Sequence, residues 1–140
     1  MSGSDTAALR AISEVCGRHT GLHLAVVFGS RARGDYTAVS DVDIGYLGDE
    51  RLDRDGLLVD LVRTLGIERV DLVDLDCAGG LVRFRVARDG IVVFEARPDA
   101  FTRFWLEAVH FWCDAGPVIR AGYDDVLAEL SHPRRTPPTP

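Results

Sequence analysis

Residues 28–45 read Phe-Gly-Ser-Arg-Ala-Arg-Gly-Asp-Tyr-Thr-Ala-Val-Ser-Asp-Val-Asp-Ile-Gly. The run before them, Leu22 to Phe28, is almost wholly apolar and predicts a buried strand that ends at Gly29-Ser30. A turn of this kind offers backbone amides and a hydroxyl to an anion, and glycine lets a phosphate approach the main chain closely. After ten further residues the pattern changes to strict alternation over 41–47. Val42, Ile44 and Tyr46 fall on one face of that strand, and Asp41, Asp43 and Gly45 on the other. Period-two geometry sets the Cα atoms of Asp41 and Asp43 roughly 6.5–7 Å apart with both carboxylates on one side. Such a pair suits one divalent ion and helps to hold a second at about 3.5–4 Å. Carboxylates facing phosphate oxygens favour a hard ion, Mg²⁺ or Mn²⁺.

Working outward, residues 4–20 predict a helix with Ser4 as N-cap, Leu9, Ile12, Val15 and Cys16 at helical spacing, and Gly21 at its C-terminus. Residues 51–65 predict a second helix and 69–75 a third strand. A short helix at 81–88, a strand at 90–95, a long helix at 99–115 and a shorter one at 123–130 follow. Helices interleaved with strands indicate an α/β or α+β domain, with a small mixed sheet and flanking helices. The expected organisation is a core over 1–98, a C-terminal helical extension over 99–130 and a disordered, proline-rich tail over 131–140.

A third carboxylate would complete the metal site. Asp71 and Asp74 lie on the next strand but differ by three residues, so they face opposite ways and only one can join the pair. Asp71, flanked by Val70 and Leu72, repeats the rhythm around Asp43. It is the preferred third ligand and a candidate general base for an attacking hydroxyl. Asp74 reads as a surface carboxylate. Arg33 can steer phosphate, whereas Arg31 reads as a solvated side chain. Ser40 and Asp35 read as turn residues, and the four histidines show no ligand spacing.

Composition narrows the chemistry. All 16 basic side chains are arginine, and lysine is absent. Walker-A phosphate binding, Schiff-base chemistry and transfer through a lysyl adenylate all need that amine and are excluded. A formal charge of -6 argues against a general grip on nucleic acid. No apolar run is long enough to span a bilayer, and the N-terminus lacks a secretory pattern, so a cytoplasmic protein is expected. Cys16, Cys77 and Cys113 form no metal-binding spacing and read as inert thiols.

Gly29-Ser30 followed by Asp41-Val42-Asp43 resembles the signature of the polymerase-beta-like nucleotidyltransferase superfamily. The wider stretch 28–45, with Val70-Asp71-Leu72-Val73-Asp74-Leu75 and the later Arg-Phe-Arg-Val-Ala-Arg-Asp-Gly of 83–90, is similar to its minimal nucleotidyltransferase (MNT) branch. The resemblance covers about residues 7–130. It implies that Gly29 and Ser30 hold the triphosphate of ATP, that Asp41 and Asp43 bind two Mg²⁺ ions, and that Asp71 is the third carboxylate. It also implies an antitoxin that moves AMP from ATP onto a tyrosine of a HEPN-domain ribonuclease toxin. The alternatives are a small-molecule nucleotidyltransferase of the aminoglycoside-modifying kind and a toxin-binding antitoxin without catalysis. The partner is then a protein, not nucleic acid or membrane.

Helix 99–115 is apolar around much of its girth. Phe101, Trp105, Ala108 and Trp112 form one stripe, Phe104 and Phe111 stand beside it, and Leu106 and Val109 lie further round. This predicts burial on more than one side, either as a thick contact with the chain's own core or as an interface with a partner or a second copy.

Overall fold

The computed structural model of the chain describes residues 3–29, 42–67 and 69–114. The expectations for Ser30 to Asp41, for a helix at 123–130 and for the tail at 131–140 lie outside these residues. Among them, four strands and four helices alternate as α1 (Gly3–Gly17), β1 (Leu22–Phe28), β2 (Val42–Gly48), α2 (Arg54–Leu65), β3 (Val70–Asp74), α3 (Gly80–Asp89), β4 (Ile91–Glu95) and α4 (Ala100–Asp114). The strands form one mixed sheet in the order β3-β2-β1-β4, with β1 antiparallel to β2 and to β4, and β2 parallel to β3. The fold is α+β, as the alternating pattern implied.

The central position of β1 follows from its composition. Every residue from Leu24 to Phe28 is buried, so both faces of this strand are covered. Ala25 and Val27 join Val42, Ile44 and Tyr46 of β2 and Val70 and Leu72 of β3 in one layer, closed by Ile12, Val15 and Cys16 of α1 and Leu57 and Leu61 of α2. Leu24, Val26 and Phe28 point the other way, against Val86 and Ala87 of α3 and Phe104 and Ala108 of α4. A register shift between Leu22 and Leu24 explains why Leu22, of the same parity as Leu24, lies in the first layer. Each fully buried aliphatic side chain in these layers stabilises the fold by about 1.5–3 kcal/mol relative to exposure. Burial in the first layer also pushes the Cys16 thiol up to about 12, consistent with an inert core residue.

Several boundaries differ from expectation for local reasons. α1 is already helical at Gly3, so Ser4 lies within its first turn, and the helix stops at Gly17. Gly21 does not close it. With φ +88, and with a Cβ there falling 2.6 Å from the Leu52 nitrogen, Gly21 instead lets the chain pass close under the 49–52 turn. That turn also delays α2. Asp49 accepts from the Arg51 backbone nitrogen at 2.9 Å and from its guanidinium at 3.1 and 2.9 Å, so Arg51 is held outside the helix. The helix starts at Arg54, after the N-cap Asp53, whose carboxylate accepts from Gly56 N at 3.0 Å. Gly66, at φ +66, closes its other end.

The last described helix also departs from the expected stripe. Its inward line is Phe101, Phe104 and Ala108, while Trp105 (40% exposed), Leu106 and Phe111 face outward. Packing on α3 makes this choice: Arg83 spans from the Phe104 ring (5.3 Å) to Glu107 (3.3 Å), and Trp112 stacks on Phe84 at 4.8 Å. None of the described helices is long and apolar enough to cross a membrane.

Candidate active site

Asp43 is the second residue of β2 and is half-buried. Across the sheet it pairs with Phe28 of β1 on one side and with Asp71 of β3 on the other. In-register neighbours on parallel strands present their side chains to the same face, about 4.8 Å apart. Asp43 and Asp71 therefore stand side by side at the end of the sheet where β1 finishes and β2 and β3 begin. Asp71 is exposed and Asp43 is partly covered, so the pair opens to solvent on the β3 side.

Gly29 forms the floor beside Asp43. Its φ is +76, and a Cβ built there would lie 2.5 Å from Asp43 Oδ2. The carboxylate rests on bare backbone that any side chain would displace. Here the glycine does two jobs: it permits the left-handed turn out of β1 and leaves room for the acid. The donor chemistry of the pair and this backbone cradle fit a hard divalent ion and a phosphate. Among the described residues no group of three or more His, Cys, Asp or Glu side chains gathers to hold a metal. Ser30, Arg33 and Asp41, which the sequence assigned to phosphate and metal, lie outside the described residues, as do Arg31, Asp35 and Ser40.

Asp74 sits elsewhere. It pairs with Tyr46, on the opposite face from Asp43. Its carboxylate accepts from Asp76 N at 2.9 Å and from Cys77 Sγ at 3.5 Å, which shapes the turn after β3 and raises the Cys77 pKa. Two of the histidines have structural partners. His19 bonds Asp60 and His23 bonds Asp49, both at 2.8 Å. A cleft of about 380 Å³ opens at the far end of the sheet, between Leu47, Gly48 and the start of α4. Arg97, Arg103, Asp76, Asp99 and Glu107 are among the residues that line it, and Gly29, Asp43 and Asp71 are not.

Sequence reasoning passed over Arg54, whose Nη2 donates to the Leu72 carbonyl at 3.0 Å, one residue from Asp71. The partners lie 18 residues apart on different elements, and no local pattern signals such a contact.

Comparison with known proteins bears on the fold and the family. A protein adenylyltransferase MntA from Aphanizomenon flos-aquae is 32% identical over 96 residues, a match spanning 59% of this chain and 63% of that relative's length. Among solved structures, a toxin–antitoxin crystallised with AMP-PNP superposes with a TM-score of 0.65 at 23% identity, covering 89% of this chain and 98% of its counterpart. A complex of a tri-AMPylated Shewanella oneidensis HEPN toxin with an MNT antitoxin matches with a TM-score of 0.61 at 20% identity, over 91% and 99% of the two chains. At these identities the structural likenesses establish the fold. Residues 10–99 match the sequence family described as Polymerase beta, Nucleotidyltransferase, and that match takes in Gly29, Asp43 and Asp71. The chain belongs to the polymerase beta nucleotidyltransferase family.

Proposed function

We propose that this chain is a magnesium-dependent nucleotidyltransferase that moves AMP from ATP onto a tyrosine hydroxyl of a HEPN-type toxin, and so acts as the antitoxin of a cytoplasmic pair. The observation that carries this reading is the register Asp43↔Asp71 beside Gly29: two carboxylates on one face, at the mouth of a strand-to-turn junction without side chain. The name of the MntA relative and the toxin–antitoxin complexes that share the fold support the acceptor class. We assign residues 1–98 to the catalytic core and 99–130 to its helical extension.

In this reading Gly29 and Ser30 receive the triphosphate on backbone amides, with Arg33 at its edge. Asp41, Asp43 and Asp71 would hold the metal, which would supply positive charge against the phosphate oxygens. Asp71, more exposed than Asp43, stands on the open side and takes the proton of the incoming hydroxyl. The tyrosine oxygen bonds to the α-phosphorus, the bond from the α-phosphorus to the bridging oxygen breaks, and pyrophosphate leaves. The positional test is a pair of variants. Asp71→Asn is expected to slow transfer of label from α-labelled ATP by at least roughly tenfold, whereas Asp74→Asn leaves it near the wild-type rate. Equal losses in the two, or a greater loss in Asp74→Asn, reverses the assignment.

The acceptor in this reading is a protein tyrosine, delivered by a partner whose docking orients its hydroxyl against the α-phosphate. The outward apolar residues of α4, Trp105, Leu106 and Phe111, are its docking surface in this proposal. Trp105→Glu with Phe111→Glu is expected to weaken toxin binding by roughly thirtyfold or more, the scale of an interface hot spot. ATP binding should be unchanged, as calorimetry with each ligand in turn would show. Wild-type affinity for the toxin in this variant moves the interface elsewhere.

A further inference from the structure

We infer that Arg54 is a positioning residue that sets Asp71 against Asp43 by clamping the open edge of β3; the inference rests on Asp71 being the third carboxylate. Among the described residues β3 is a strand of five residues at the edge of the sheet, paired with β2 alone. Such a strand has one free row of peptide groups and can shift or fray. Asp71 sits in its first half, and half an ångström of drift there changes the distance between the two acids.

The alternation of the ladder says which peptide groups are free. Val42 N–H donates to Arg69 O at 3.3 Å, so the peptide groups of Arg69, Asp71 and Val73 turn toward β2. Those of Val70 and Leu72 turn to the open edge. The carbonyl of Leu72 is the acceptor that Arg54 Nη2 reaches at 3.0 Å in a partly buried contact. The residue next to Asp71 is thereby held from the side that β2 cannot reach.

Arg54 is itself firmly anchored. It follows the N-cap Asp53, and the helix behind it is fixed in the core by Leu57 and Leu61. An arginine in the first helical turn is disfavoured by the helix dipole, and Asp55 beside it is 3.9 Å away. Its place there is accounted for by the bond to β3.

The contact uses one N–H donor, so a lysine ammonium can replace it and a methionine cannot. Binding of Mn²⁺, followed by loss of the free-ion signal in electron paramagnetic resonance, gives a readout besides turnover. Arg54→Met is expected to weaken Mn²⁺ binding roughly tenfold and to raise the Mg²⁺ needed for half-maximal transfer by a similar factor, the usual scale for a residue behind a metal ligand. Arg54→Lys restores most of both. Arg63→Ala, an exposed arginine in the last turn of the same helix, changes neither. Wild-type Mn²⁺ affinity in folded Arg54→Met overturns the inference while leaving the assignment of Asp71 standing. A lowered melting temperature with unchanged metal dependence also overturns it, since the role is then only structural. Absence of Mn²⁺ binding by the wild-type chain overturns this inference together with the metal-site reading on which it rests.

Discussion

Asp43→Asn is expected to lose nucleotide transfer by roughly a hundredfold to a thousandfold, the scale seen when one group that stabilises transition-state charge is removed. The substitution keeps the shape of the side chain and every backbone bond of β2. Asp43 is only half-buried, so the melting temperature should move by no more than a few degrees. What changes is charge. A neutral amide beside Asp71 leaves the triphosphate uncompensated, and no neighbouring lysine exists to take over, because the chain has none. Excess EDTA should abolish wild-type transfer, and added Mg²⁺ should restore it in the wild type but not in the variant. Full activity in Asp43→Asn, or in EDTA, contradicts a metal role for this residue.

Gly29→Ala is expected to separate stability from chemistry. An alanine at φ +76 costs about 1–2 kcal/mol of backbone strain. Its methyl group would also lie 2.5 Å from Asp43 Oδ2. The atom in the way is the end of a short side chain, which can move at modest energetic cost. It is also the group the reaction depends on. A displacement near 1 Å lowers transfer by roughly a hundredfold. Gly66→Ala is the matched control, since its φ is +66 and nothing lies within 4 Å of the added carbon. Both variants should lose similar stability in thermal melts, and only Gly29→Ala should lose activity. If both transfer AMP at the wild-type rate, the cradle around Asp43 has no catalytic part.

The elements that could be read directly from the sequence are those whose pattern has one physical cause. The alternation of Val42, Ile44 and Tyr46 fixes one buried face and places Asp43 on the other, and the sheet has it so. The near-continuous apolar run of β1 signalled cover on both sides, and two separate layers supply it. Parity placed Asp71 and Asp74 on opposite faces, but only the parallel register shows which of them meets Asp43. Where several causes compete, the pattern misleads. Arg51 and Leu52 carry no helix-breaking signal, and the turn that excludes them depends on the Asp49 carboxylate gripping Arg51. On α4 nearly every position of one broad arc is apolar, so the sequence could not say whether Phe104 or Trp105 points inward. Contact with Arg83 and Phe84 of α3 decides it, and those residues belong to a different element, beyond the reach of a pattern within α4. The edge clamp from Arg54 to Leu72 was invisible for the same reason.

The central claim is that this chain transfers AMP to a protein tyrosine. The direct measurement is to incubate it with α-labelled ATP, Mg²⁺ and a HEPN-domain protein that binds it, then to map the label by mass spectrometry. The account predicts AMP on a tyrosine of that protein, formed by the wild type and not by Asp43→Asn or in EDTA. A HEPN protein that binds the chain tightly and stays unmodified would contradict it and leave neutralisation by contact alone.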